Sequence, residues 1–235
     1  MRQLGVHRVA VGRSTGALVP ILWAVAAILF IFCICISPAR AEPFLKGVDY
    51  TLIENAPRAR SSGPVEVIDV FSYICPHCAE FHPLMKSWEA AIDRSRVRLI
   101  HVPVMFGMQP PWQLLARGYF AAEALGTQPT VHHDVFDVLW KSSRGTSHVP
   151  APRSLEDVAD IYQRLGVDRS AFIRAASSEM TESRLRETAN LMDALQVTGT
   201  PEIIVDRRYR VIPGRDVPLG KVLLIVDYLI TKEQK

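Results

Sequence analysis

Val65-Glu66-Val67-Ile68-Asp69-Val70-Phe71-Ser72-Tyr73-Ile74-Cys75-Pro76-His77-Cys78 carries an apolar segment straight into the opening of a helical one. Residues 65–71 are apolar except for Glu66 and Asp69, the composition of a strand covered on both faces. Phe81, Leu84, Met85, Trp88 and Ile92 then recur at helical spacing, which predicts a helix over about 76–93, kinked where Pro83 removes a hydrogen bond. Residues 97–104 read as a second strand of the same character. Strand, helix, strand is a right-handed crossover unit with a parallel pair. At its first turn it holds two cysteines three positions apart, a dithiol that can close with little backbone movement.

Outward from this unit, residues 50–53 read as a short strand, followed by a polar turn over 58–63. Residues 109–195 turn helical, with helices expected at 112–125, 131–140, 154–165, 169–176 and 181–195; Pro and Gly separate the first four. Ser154 is placed as an N-cap, with Asp157 three positions on. Strand character returns at 202–205 and 209–212 around the tight Asp206-Arg207-Arg208 turn, and an amphipathic helix is expected over 217–230. The fold class is therefore α/β, split by a helical insertion: 42–108, 109–195 and 196–235.

Residues 1–41 read as a signal peptide, with a basic start at Arg2, Arg8 and Arg13, an apolar run over 17–36, and the small-x-small site Ala39-Arg40-Ala41. An uncleaved anchor is the alternative, because the run is long enough to span a bilayer. Cys33 and Cys35 lie inside it and are lost on cleavage. All 24 Asp+Glu but only 23 of the 27 Lys+Arg fall after residue 41, so the chain's basicity belongs to targeting. That leaves no footprint for nucleic acid. Gly12-Arg13-Ser14-Thr15-Gly16 matches a nucleophile-elbow pattern but has neither the preceding strand nor the following helix.

Beyond the leader the only cysteines are Cys75 and Cys78. A bridge across so short a loop stabilises by about 2 kcal/mol, against about 3 for a fifteen-residue loop, so it suits catalysis better than stapling. The thiolate is the nucleophile, and Cys75 stands where unpaired helix N–H groups and the macrodipole favour an anion. Pro76 suits the first helical position. His77 is expected to donate a hydrogen bond or carry charge beside the sulfur. Lowering the Cys75 pKa stabilises the reduced form alone and makes the disulfide an oxidant. Cys78 is expected under the helix start, less acidified, resolving mixed disulfides.

Cys75, Cys78 and His82 offer three ligands toward zinc, but a structural site needs a fourth, so the metal expectation is none. Asp69 interrupts the apolar strand; a desolvated carboxylate there could exchange protons with Cys78 through a water. Pro201, after Gly199-Thr200 and opening a strand, is a candidate cis peptide. His101, His132, His133 and His148 are read as surface or structural. Met105, Phe106, Met108 and Trp112 either line an adaptable groove for unfolded chains or pack the insertion onto the sheet.

Phe71-Ser72-Tyr73-Ile74-Cys75-Pro76-His77-Cys78-Ala79-Glu80-Phe81, with Val197-Thr198-Gly199-Thr200-Pro201, resembles the DsbA family of thiol:disulfide oxidases. The resemblance spans residue 42 to the end and implies a thioredoxin-like fold with a helical domain inserted between its halves. It implies that Cys75 is the exposed attacking cysteine and Cys78 the buried one. It also makes Thr200-Pro201 the cis-proline pair facing the dithiol, and Asp69 the buried acid. Where relatives often carry a basic residue near that acid, this chain has Leu99. The implied activity is a periplasmic dithiol oxidase without cofactor, acting as a monomer on reduced exported polypeptides and reoxidised by a DsbB-type quinone-linked membrane partner. The rivals are an isomerase or reductase of the same fold, against which the short stretch before the first core strand argues, and a non-catalytic peptide-binding chaperone.

Overall fold

Two seven-residue strands side by side organise the molecule. In the computed structural model, β2 (Val65–Phe71) and β3 (Val97–Pro103) pair in parallel from Val65↔Val97 to Phe71↔Pro103. The structure describes residues 42–57, 59, 63–106, 110–140 and 151–234. The expected leader, with Cys33 and Cys35, lies outside these, as do Gly107, Met108 and His148.

All seven β2 residues are buried, as its apolar run requires. Val67 faces one apolar cluster with Val205 and Ile225, while Ile68 and Val70 face another with Leu195 and Ile204. Helix α1 (Pro76–Ala91) returns the chain to β3 and runs on through Pro83. β4 (Glu202–Val205) pairs antiparallel with β2, β5 (Tyr209–Val211) with β4, and β1 (Thr51–Leu52) with β5, giving the order β1-β5-β4-β2-β3. The β4–β5 turn has left-handed backbone at Asp206 (φ 53°) and Arg207 (φ 54°), and Arg208 N–H donates to Val205 O at 3.0 Å, a two-residue hairpin turn matched to strand twist.

Among the described residues, five helices come between β3 and β4: α2 (Pro110–Ala124), α3 (Gln128–Trp140), α4 (Leu155–Arg164), α5 (Arg169–Ala176) and α6 (Glu179–Ala194); α7 (Leu219–Glu233) follows β5. The chain thus has the thioredoxin-like α/β architecture with helices between its sheet-forming parts. Ser154 Oγ accepts from Asp157 N–H at 3.1 Å, the expected cap of α4. Helices α2 and α3 start two or three residues earlier than periodicity indicates. Pro110-Pro111 and Pro129 sit in their first turns, where no N–H is needed. Likewise Ser178 caps α6 ahead of Glu179. Helix α2 carries Gly118 because α4 presses on it: a Cβ there would lie 2.7 Å from Val158 Cγ1.

The insertion has its own core, which includes Phe120, Phe136, Tyr162 and Phe172 and continues into Phe71, Tyr73, Cys75 and Cys78. Trp140 Nε1–H donates to Tyr73 O at 2.8 Å, tying the end of α3 to the segment that precedes the dithiol. Met105 and Trp112 pack against this core, and Phe106 meets Trp112 edge-on at 5.8 Å. Met105 also lines an open groove with Leu114 and Leu185, so it both packs and lines, and Met108 is outside the described residues.

Candidate redox site

Cys75 is the N-cap of α1, in extended conformation (φ −80°, ψ 121°), and Pro76 opens the helix. Its carbonyl accepts from Ala79 N–H at 3.1 Å, and its sulfur lies against the open helix end. The Thr200–Pro201 peptide bond is cis, and Thr200 O lies 3.5 Å from Cys75 Sγ. So α1 and the loop before β4, 125 residues apart in sequence, meet at one sulfur.

Both cysteines are free thiols and both are buried, with Cys75 6% and Cys78 3% exposed. The expected contrast of an exposed Cys75 with a buried Cys78 is therefore corrected, because the Thr200–Pro201 loop and the insertion core close over both. What separates them is electrostatics. A hydrogen bond from the Cys78 thiol lowers the Cys75 pKa against the opposing effect of burial. A side-chain hydrogen bond with Thr200 and the backbone N–H groups of Cys78 and His77 add to it, bringing the pKa to about 5. Burial, then the hydrogen bond to Cys75 and its negative charge, push the Cys78 thiol far above its ordinary value. One sulfur is held as an anion and its neighbour as an acid.

His77 is exposed, and it reaches Cys75 through its backbone N–H. Among the described residues, the contact of His77 with Cys75 that acidifies the sulfur is this backbone one. Among the described residues, no group of three or more His, Cys, Asp or Glu is arranged to hold a metal, and the His82 ring stacks on Phe136 at 4.2 Å.

Asp69 is buried and shares a small cavity with Cys78 and Pro201. Its carboxylate has a partner across the sheet. Strand pairing sets it beside His101, whose Nδ1 lies 2.9 Å from Asp69 Oδ2, while Nε2 lies 3.1 Å from Glu89 Oε2 on α1. Burial alone would push the His101 pKa down; its hydrogen bonds to the two carboxylates override that and lift it to about 9. Of the histidines read as surface or structural, three gather on this side of the sheet, and two of them, His101 and His133, meet Glu89. His132 is buried and its Nδ1 pairs with Tyr73 Oη at 2.8 Å, and His133 lies 3.4 Å from Glu89. A usable signal existed: Asp69 and His101 are each the fifth residue of equal-length strands expected to run in parallel.

The sequence profile of the DSBA-like thioredoxin domain matches residues 66–219. A thiol:disulfide interchange protein DsbA of Pseudomonas syringae pv. tomato is 30% identical over 198 residues, covering 84% of this chain and 88% of its own length. Among solved structures, oxidoreductase DsbA from Xylella fastidiosa aligns with a TM-score of 0.71 at 31% identity, over 82% of this chain and 98% of that one. Pseudomonas aeruginosa DsbA aligns with a TM-score of 0.72 at 27% identity, over 83% of this chain and 96% of that one.

Proposed function

The chain belongs to the DSBA-like thioredoxin domain family and is a thiol:disulfide oxidoreductase, and from that premise we propose that it runs in the oxidising direction. A substrate thiolate attacks Cys75 Sγ of the Cys75–Cys78 disulfide; Cys78 leaves with the bond's electron pair and takes one proton. The substrate's second thiolate then attacks the mixed disulfide and releases Cys75 as a thiolate. The substrate loses two electrons and becomes the disulfide, and the enzyme dithiol holds them. Thr200 and Pro201 line the place where the substrate sulfur must lie, Pro76 and His77 shape the helix end, and Asp69 faces the Cys78 side.

The observation that carries this direction is the placement of Cys75 at the open N-terminus of α1, against Thr200 and the Cys78 thiol, where its thiolate is favoured. An anion favoured in the reduced form only makes that form the more stable one, and so makes the disulfide give itself away. The substrates on this reading are reduced exported polypeptides. A DsbB-type quinone-linked membrane protein would take up those two electrons and restore the disulfide, with the chain acting as a monomer in the periplasm. The basic-then-apolar residues 1–41 support export. No helix among the described residues is long and apolar enough to cross a membrane.

Equilibration with glutathione buffers tests the direction. A potential well above the glutathione couple is expected, and one near thioredoxin's, about −270 mV, would make the chain a reductase. Cys75→Ser is expected to abolish oxidation of a reduced peptide; if assisted folding of a cysteine-free client survives it in full, a chaperone activity stands beside the redox one.

A further inference from the structure

The seam where β2, β3, α1 and α3 meet buries a polar series that continues past Asp69, through two groups to which the dithiol chemistry above gives no role. It starts at the cavity that Asp69 shares with Cys78, a space for about one water walled by Phe71, Phe81 and Met85. From there Asp69 Oδ2 contacts His101 Nδ1, and His101 Nε2 contacts Glu89 Oε2. Side-chain exposure rises along the series, from 7% at Asp69 and 9% at His101 to 21% at Glu89. A ring held at both nitrogens by carboxylates is fixed in place and carries a proton on each.

The other groups facing His101 leave the charge there. On α1, burial first and then the nearby His133 lower His82 to about 4; on α3, burial and then the His101 cation hold His132 well below its ordinary value. His133 Nε2 and Arg94 Nη2 approach Glu89 from outside, at 3.4 and 3.2 Å. From α2, Tyr119 O–H donates to the His101 carbonyl at 3.2 Å. Leu99 on the same strand is apolar and half-buried, and His101, 2.9 Å away, is the basic group that Asp69 meets.

We propose that His101, held between Asp69 and Glu89, stores the proton that Cys78 takes when the Cys75–Cys78 bond opens and returns when it closes. This rests on the reading of Cys78 as the leaving and resolving thiol. On opening, Cys78 receives the electron pair, the His101 Nδ1 proton passes to Asp69, and Asp69 delivers a proton across the cavity to Cys78 Sγ. His101 is left neutral, its Nε2–H still donated to Glu89. Closing reverses each transfer, so no proton is gained or lost within the set. The transfer runs downhill because the Cys78 thiol holds its proton more tightly than His101 does. His101 acts through Asp69 and is a positioning residue for the proton.

Stopped-flow reduction of the oxidised full chain by glutathione, with rates referred to the glutathione thiolate concentration, tests this in either physiological direction. The wild-type rate should stay level at neutral pH and fall as pH rises through about 9, where His101 loses its proton. Glu89→Gln keeps the hydrogen bond but removes a negative charge, so the fall should move to lower pH. His101→Gln should remove the fall and slow opening by about tenfold or more. A Glu89→Gln profile that coincides with wild type overturns the proposal, whatever the folding of His101→Gln. So does a folded His101→Gln with the wild-type rate and profile. Accumulation of a mixed disulfide in Cys78→Ser tests the underlying reading separately: if none accumulates, that reading fails first.

Discussion

At the residue scale, the chemistry comes down to two thiols of one helical turn with opposite tendencies. Cys75 is lowered to about 5 and Cys78 is raised, each partly by the other. The sign for stability follows. A lowered Cys75 adds stability to the reduced protein that is fully present above its unfolded value, near ~8.5, and is lost as pH falls through about 5. A raised Cys78 acts oppositely: above the unfolded value it must stay protonated while the unfolded chain ionises. The stability difference between reduced and oxidised protein should therefore rise from about pH 5, peak near ~8.5 and decline beyond it, as urea midpoints at a series of pH values would report. Thr200→Ala removes a side-chain hydrogen bond to Cys75 and should raise its pKa by about one unit, read from thiolate absorbance. An unchanged value would remove Thr200 from the account.

At the element scale, β2 and α1 were legible because periodicity is a property of the chain itself: Val65–Phe71 is buried on both faces, as its composition requires. The Ser154 cap was equally local, and Ser154→Ala should cost about 1 kcal/mol by chemical denaturation. What local reading missed came from pairing between elements. Glu202 is fully buried beside the cis-proline, and Arg210 of β5 approaches it to 2.5 Å, off the line of a hydrogen bond but within ion-pairing range. The same guanidinium donates to Leu195 O and, at 2.8 Å, to Gln196 O, the carbonyls that end α6. This clamp ties α6, β4 and β5 around the segment that presents Thr200 to Cys75. Arg210→Met strands a buried carboxylate and should cost about 3–5 kcal/mol, while pairing it with Glu202→Leu should recover most of that loss. A single variant within 1 kcal/mol of wild type in urea unfolding would show that Glu202 is not held as a charge.

At the scale of the whole molecule, the helices between β3 and β4 close the dithiol from one side, and the Thr200–Pro201 loop closes it from the other. The split architecture could be read from Pro and Gly punctuation and from the return of strand character at Glu202. The seam could not, because it exists only once α3 lies against α1 and β3. That contact turns His101, His132 and His133 from scattered histidines into neighbours of two carboxylates and a tyrosine. The insertion also covers Cys75, which the family resemblance implies is exposed.

Every step from thiolate to oxidant depends on Cys75 being ionised where ordinary cysteine is not. Ultraviolet titration of thiolate absorbance in the reduced chain, with Cys75→Ser as the blank, measures this most directly. The account predicts one thiol titrating near pH 5 that vanishes in the blank. A thiol that titrates instead between about 8 and 9, as free cysteine does, would contradict it.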